Sequence, residues 1–497
     1  MNTGRGAGTV DVAVLGGGPA GATAARLLAS WGHDVVLLTR PGLRPAMAES
    51  LPPSCLRLLD RLGVRAAIDA AGFVRSSGNT VHWGGAAPRV EAFGSGVVGY
   101  QVMRDVFDGV LFDEAARAGV TIRQPATVRE VATDATGESR IVFDDEGGHH
   151  QLRARWVLDA TGRVGVVARR GWRRPMLGER TVALAAMWEC TTGRGDAAPT
   201  HTVVESYDDG WGWSVPCSPT LRLVTVMVEP GRTHVERRAR LDDTYARELH
   251  RLPALSALAG GAARQGAVFA RDASPYTAQP FAAPGVMLVG DAASFVDPLS
   301  SFGVKKALAS AWLAAVVART VLSDAAMIPP ALALYEERER EIHDALERHR
   351  AALIGDATAG HPHGYWGDRS SSISAAIDRE PDHLALREDP EVLRAFTELR
   401  TRDGIVLAPS PTLRRELRPA VRDDRVVMEE HLLLRDFPQG IRHLRNVDLL
   451  RLYELAPAHR QVPDLLDAYA RAQPGAAIAD LLGALSVLIG KGALILD

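Results

Sequence analysis

Apolar and polar positions sort the chain into segments of recognisable period. Residues 10–15, VDVAVL, form an almost unbroken apolar run; GGGPAG follows, then an Ala- and Leu-rich stretch, then VVLL at 35–38. Short apolar runs bounded by turn residues read as buried strands, so 10–40 is expected to run strand, glycine turn, helix, strand. The stretch VGYQVMRDVFDGVLFDEAARAGV (98–120) carries apolar residues at three- and four-residue spacing, the helix period, with Arg104 in its first turn. At 153–165, RARWVLDATGRVG reads as a strand running into Asp159 and a turn at Gly162. A further strand within 284–315 ends in Gly290-Asp291 and is followed by a Pro-Ser turn and a helix.

Elsewhere the period is two. GWGWSVPCS (210–218) places Trp211 and Trp213 on one face of a strand, and Val81, His82 and Trp83 alternate on another expected strand. Beyond 330 the period returns to 3.6: ALALYEEREREIHDALERHRAALIG (331–355) has charged outer faces. A loop rich in Gly, His, Pro and Ser is expected at 359–374, and helices from there to an apolar final segment at 476–490. That segment is expected to be buried within the fold; closing a substrate cavity, pairing subunits and touching a membrane surface are its other uses.

With 497 residues, 46% of them hydrophobic, the chain is long enough for two or three domains. Its 57 Lys and Arg against 60 Asp and Glu leave a net charge of -3, which excludes the basic field of a nucleic-acid binder. Cys55, Cys190 and Cys217 are widely spaced, so neither a disulfide framework nor a thiolate metal site is expected. His361 and His363 lack an acidic or cysteine cluster, and no metal is assigned to them. No signal peptide or transmembrane segment is read, the apolar runs 307–318 and 476–490 being too short, and a cytoplasmic location is expected. Lysine occurs only at 305, 306 and 491; every other Lys-or-Arg position is arginine.

Candidate chemistry begins at Gly16, Gly18, Ala20 and Gly21. Gly16 would make the tight turn and Gly18 admit a pyrophosphate; Gly21 would let helix and strand pack, with the helix N-terminus facing the anion. Where a ribose-binding acid is usual stand Thr39, whose hydroxyl can bond a ribose, and Arg40, either a reader of a 2′-phosphate or a surface arginine. The three further segments around Arg104, Asp159 and Gly290-Asp291 answer FAD.

This order of segments, over about 1–350, resembles the flavoprotein monooxygenase superfamily, in the branch holding geranylgeranyl reductases and flavin-dependent halogenases. The resemblance implies an α/β protein: an FAD-binding Rossmann-type (GR2) fold with an inserted β-sheet substrate domain and a mainly helical C-terminal region. The FAD domain would span 1–330 (FAD segments about 10–60, 98–170 and 284–325), with substrate-sheet portions at about 72–97 and 180–283, and the helical region 331–497. It further implies that Arg104 contacts FAD, that Asp291 binds its ribityl or pyrophosphate region, and that Gly303 and Val304 offer amides to the flavin. Two halogenase-type signatures are present: Trp211-Gly212-Trp213-Ser214-Val215-Pro216, and Phe295-x-x-Pro298-x-x-Ser301-x-Gly303. In that family reduced FAD and dioxygen form a C4a-hydroperoxide, and a lysine presents halogen to the arene. Its position here, seven or eight residues before Trp83, is Ser76 or Arg75. An arginine stays protonated and cannot substitute.

Without that lysine, the same chemistry implies hydroxylation of an aromatic, indole- or phenol-type substrate, free or carrier-bound. Halogenation by another route and hydroxylation of a tryptophan in a partner protein, as in maturation of quinone cofactors, are the alternatives. ESLPPS and DPLSSFGVKKAL are similar to the latter subgroup. Reducing equivalents would come from NAD(P)H docking directly, a role the stretch 159–170 resembles, or from a separate flavin reductase. Glu49 is the candidate for flavin orientation or proton handling, with capping of a 54–62 helix or a surface salt link as the alternatives. His82 either faces the pocket or is a core histidine. Trp83, Trp211, Trp213 and Pro216 are assigned to the substrate cavity, sheet packing being the other use of the tryptophan pair.

Overall fold

The computed structural model describes every residue except 1–7, 41–46, 177–179, 190–198, 234–240, 301, 363, 373–385, 387 and 403, and omits the side chains of 300, 371 and 372. Cys190, His363 and the candidate Ser301 therefore lie outside the described residues. The chain divides into two compact units, Met1–Ala375 and Ala376–Asp497.

A parallel sheet runs through the first unit. Thr9–Leu15 lies between Val35–Leu38 and Gly148–Asp159; Thr121–Arg123 extends the sheet on one side and Val286–Leu288 on the other. Residues 12–15 are completely buried. Covering both faces of a parallel sheet demands this continuous apolar run in place of alternation. The helix Pro19–Ser30, with proline at its first position, packs against the helices Arg104–Arg117 and Gly303–Ser323. Gly303–Ser323 is longer than the 307–318 apolar run implied, long and apolar enough to cross a membrane, yet 78% of that apolar window is buried inside the protein. Helices long enough to span a bilayer also serve as core helices when packed on all sides.

Segments on both sides of Gly148–Asp159 in the chain build a seven-stranded sheet, in the order Ala263–Asp272, Val182–Glu189, Leu221–Val228, Gly210–Pro216, Thr202–Tyr207, Gly78–His82, Arg89–Ala92. Alternation gives it two apolar faces. Leu184, Val203, Tyr207, Val224 and Val226 pack under the helices Leu241–His250 and Pro253–Ala259. The other face carries Val81, Trp83, Trp211 and Met227, covered by Ile354 and Ala357 of the helix Ile328–Gly360 and by Tyr365 and Trp366. A small third sheet pairs Gly99–Met103 with Ala48–Leu51 and Val74–Ser76.

Two expectations change at this level. The 359–374 loop contains a helix, Gly364–Ser372, with Tyr365 and Trp366 fully buried. The long Ile328–Gly360 helix lies within the first unit, whereas the C-terminal region was expected to open at 331.

The second unit has the helices Pro390–Thr401, Leu449–Leu455, Val462–Ala472 and Ile478–Gly490 around its own core, into which Leu481, Ala484, Leu485 and Leu488 pack. The apolar final segment is thus buried within its own unit. Between these helices stands an antiparallel sheet, Arg414–Arg422, Arg425–Leu434 and Phe437–Ile441, where further helices were expected. Its first turn is Asp423-Asp424, both residues with positive φ, the conformation that a two-residue hairpin of matching twist requires.

Candidate active site

The glycine turn is shaped by contacts that leave no room for a side chain. Gly16 has φ +98°, and a Cβ there would lie 2.5 Å from the Ala160 carbonyl oxygen; at Gly21 it would lie 1.8 Å from that of Gly16. Above Gly18 a Cβ would meet only Asp108 Oδ2, at 3.9 Å. The loop is closed where it packs and open where the helix N-terminal amides point, a cradle that fits a pyrophosphate. Ala20 is buried against Gly290, where an added Cβ would stand 3.1 Å from its own, so the first and last nucleotide segments meet. Thr39 Oγ1 accepts from Gly17 N (3.0 Å) and donates to Arg40 O (3.2 Å), bracing the loop. The Arg40 side chain is exposed.

Arg104 is the hub of an ion cluster. It donates to Glu49 Oε1 at 2.5 Å and to both Asp108 oxygens at 2.8 and 3.1 Å. Burial pulls the Arg104 pKa down, but the two carboxylates together hold it well above its ordinary value. Burial pushes the Asp108 carboxyl up, against the opposing effect of Arg104. Glu49 sits on the strand Ala48–Leu51, and its Oε2 would be 3.8 Å from a Cβ on Gly303, so its carboxylate lies beside the N-terminus of the 303–323 helix. It caps nothing in 54–62. The amide of Val304 belongs to that helix's first turn, the positive end of its dipole.

The Asp291 turn is held from three sides. Tyr276 Oη donates to the Asp291 carbonyl at 2.5 Å, the Lys306 ammonium stands 3.7 Å from Asp291 Oδ1, and Ser310 Oγ accepts from Gly290 N at 2.9 Å. Lys306, 4% exposed, also donates to the carbonyls of Gly290 (3.2 Å) and Ser294. In the 159–170 stretch, the buried Asp159 accepts from Thr161 N, Thr161 Oγ1 and Val167 N (3.1, 2.5 and 2.7 Å), fixing the turn.

The tryptophans form one aromatic cluster. Trp83 meets Trp366 edge-on at 5.3 Å and Trp211 at 6.3 Å, while Trp213 stacks on Trp211 at 4.9 Å. Trp83 Nε1 donates to Leu353 O (2.8 Å) and Trp366 Nε1 to Tyr207 O (2.6 Å). Trp211 is 2% exposed and packs as core; Trp213 keeps an exposed part. Pro216 turns to the opposite face with Gly212, where a Cβ on Gly212 would touch Leu252 and Leu255. His82 also points away from the cluster. It pairs in register with Glu205, whose carboxylate accepts from Ala254 N and Leu255 N (3.1 and 2.9 Å) under the helix-covered face. One residue of alternation separates it from Val81 and Trp83.

No described lysine joins this cluster. Ser76, 0% exposed, donates to Gly78 O (3.2 Å), and Arg75 pairs with Asp69 (2.6 Å). Lys305 donates to Ser54 Oγ (3.0 Å), and Lys491 pairs with Asp389 and Asp436 in the second unit.

Sequence reasoning missed Asp108, although its spacing of four from Arg104 on a helix was a readable signal. It also missed Trp366 and the buried Glu339, whose significance depends on burial alone.

A parallel sheet with a ligand cradle at its first turn and a clamped Gly-Asp turn at its last strand defines a flavoprotein with a Rossmann-type FAD-binding domain. Residues 9–350 match the FAD binding domain family, and the chain belongs to it. Over 342 residues it is 29% identical to a tryptophan 2-halogenase of Chondromyces crocatus, covering 66% of this chain and 64% of that protein, under two thirds of the relative's length. The flavin-dependent halogenase CmlS shares the fold at a TM-score of 0.77 and 24% identity, over 98% of this chain and 96% of that one. The peptidyl tryptophan dihydroxylase QhpG aligns at a TM-score of 0.68 and 25% identity, over 97% and 99%. Halogenases and hydroxylases thus stand together among its relatives.

Proposed function

We propose that the protein is an FAD-dependent monooxygenase that hydroxylates an aromatic, indole- or phenol-type substrate. The observation that carries this reading is the fate of the amines. The two positions where the halogenase lysine falls are a buried serine and a salt-bridged arginine, and Lys305 and Lys306 are committed to Ser54 and to the Asp291 turn. A halogen carrier needs an amine that can lose its proton within the substrate chamber.

The residues present fit FAD, with Gly16, Gly18 and Gly21 at the pyrophosphate, Asp291 at the ribityl chain and the 303–323 helix N-terminus at the ring. Bound there, FAD supplies two-electron redox chemistry and the activation of dioxygen. Arg104 holds Glu49 in place, and the Glu49 carboxylate is placed to orient the ring or take the substrate's proton. The Trp83–Trp211–Trp366 cluster excludes water, and the partly exposed Trp213 offers a flat surface to an arene. Electrons come from a separate flavin reductase or from NAD(P)H directly.

The test supplies FAD, a flavin reductase and NADH, and follows oxygen uptake and product mass with indole and phenol substrates, with and without bromide. The proposal expects an oxygen atom from labelled dioxygen in the product, independent of halide. A brominated product would overturn it.

A second reading, hydroxylation of tryptophan in a partner protein, is favoured by the near full-length alignment with the peptidyl tryptophan dihydroxylase. It expects a stable complex with a tryptophan-bearing protein and no turnover of free indoles.

A further inference from the structure

Behind the Asp291 turn lies a group of buried ionisable side chains that none of the chemistry above uses. Lys306, in the first turns of the 303–323 helix, is tied to Gly290 O, Ser294 O and Asp291. Across from it, on the Ile328–Gly360 helix, Glu339 is 0% exposed, and neither carboxylate oxygen has a hydrogen-bond partner among the described residues. One helical turn on, His343 Nδ1 is likewise buried without one. Buried polar atoms left this way are rare and call for a reason.

We propose that Glu339, coupled through Lys306 to the turn that holds the cofactor, takes up one proton from bulk water when bound FAD is reduced. The proposal rests on FAD binding and is independent of whether oxygen or halogen is transferred.

The charges around the pair decide the direction. Burial raises the Glu339 carboxyl to about 7, while Ser310 and Lys306 favour its charged form and Glu336 opposes it. Burial lowers the Lys306 ammonium; Asp291 and Glu339 work against that. Burial, then Lys306, bring His343 to about 4, with Asp344 opposing and Arg350 and Arg340 reinforcing, so His343 is neutral at pH 7. Tyr335 and Glu336 complete the set on the same helix; Glu336 is occupied by the amides of Phe281 and Ala282.

One ammonium therefore serves two carboxylates, Asp291 and Glu339, in a medium of low dielectric. An added negative charge on the reduced ring, at the N-terminus of the helix that carries Lys306, competes for Lys306 and raises the proton affinity of Glu339. An external two-electron reductant delivers two electrons, one proton binds the reduced ring, and a second, from water, converts the Glu339 carboxylate to the acid. Glutamine at 339 removes the second proton.

The test is a redox titration of the full-length FAD-loaded protein, wild type against Glu339→Gln, from about pH 6 to 8, bracketing the carboxyl's value. Each additional proton per two electrons steepens the dependence of midpoint potential on pH by about 30 mV per unit. Wild type is expected to show the steeper slope near neutrality, and Glu339→Gln to lose it with its flavin absorbance intact. Equal slopes would overturn the proposal. Should Glu339→Gln fail to fold, infrared difference spectra of wild-type protein on reduction decide instead: a new carboxylic-acid carbonyl band supports the proposal and its absence refutes it. A protein that binds no FAD defeats the flavoprotein reading itself, a separate outcome seen in the visible spectrum.

Discussion

Replacing Arg104 by methionine keeps most of the side chain's length and removes its charge. Three charge-assisted hydrogen bonds disappear, at 2.5, 2.8 and 3.1 Å, and Glu49 and Asp108 are left facing each other without a cation. Bonds of this kind contribute a net ~1.5–3 kcal/mol each, the hydrogen bonds to water that they replace already counted. Breaking a fully buried pair costs ~3–5 kcal/mol. The three side chains are 28%, 30% and 27% exposed, so solvent screens part of this. We expect a net loss of about 3 kcal/mol at pH 7, read by urea denaturation of FAD-free protein so that cofactor binding adds nothing.

The loss should depend on pH. The Asp108 carboxyl is raised in the folded protein by burial, against Arg104, and without Arg104 it rises further. A carboxyl whose folded value lies above its unfolded one binds more protons in the native state, so its destabilising effect grows as pH rises from the unfolded value to the folded one and is complete above it. The penalty of Arg104→Met should accordingly shrink as pH falls below 7 and Asp108 takes up a proton. Adding Asp108→Asn to the variant should recover part of the loss at pH 7. A penalty below ~0.5 kcal/mol, the ordinary size for a surface substitution, or one unchanged by pH, would refute the reasoning.

Three further outcomes are expected. Gly21→Ala would push a Cβ to 1.8 Å from Gly16 O and should abolish FAD retention, read as loss of visible absorbance on gel filtration. Trp366→Ala removes the ring that packs on Trp83 and donates to Tyr207 O, and should cost ~3–5 kcal/mol by denaturation. His82→Gln, on the face away from the tryptophans, should leave kcat/KM for oxygen-dependent turnover within about twofold; a loss of tenfold or more would return His82 to the site.

How much of this was legible differs by element. The strand-turn-helix opening could be read directly, because parallel strands must be apolar throughout and each glycine answers a local steric demand at Gly16 or Gly21. The sheet at 414–441 was passed over because its exposed positions mix arginine and glutamate with apolar residues such as Leu417 and Met428, which blurs the period of two; only the Asp423-Asp424 turn betrayed it. Tyr365 and Trp366 were hidden in a polar stretch whose composition reads as loop, and a covering surface elsewhere in the chain drew them inward.

Residue order alone determined the nucleotide fold, the family resemblance and the near absence of lysine, since each depends on local spacing or on composition. Tertiary structure decided the rest. Register sent His82 and Pro216 to one face of the sheet and Trp83 and Trp211 to the other. Packing brought Glu49 and Asp108 to opposite sides of one guanidinium. Burial left Glu339 near Lys306 with no exposure to bulk solvent, and the electrostatics of a charged group follow from its distance to other charges and to solvent, which sequence separation does not encode.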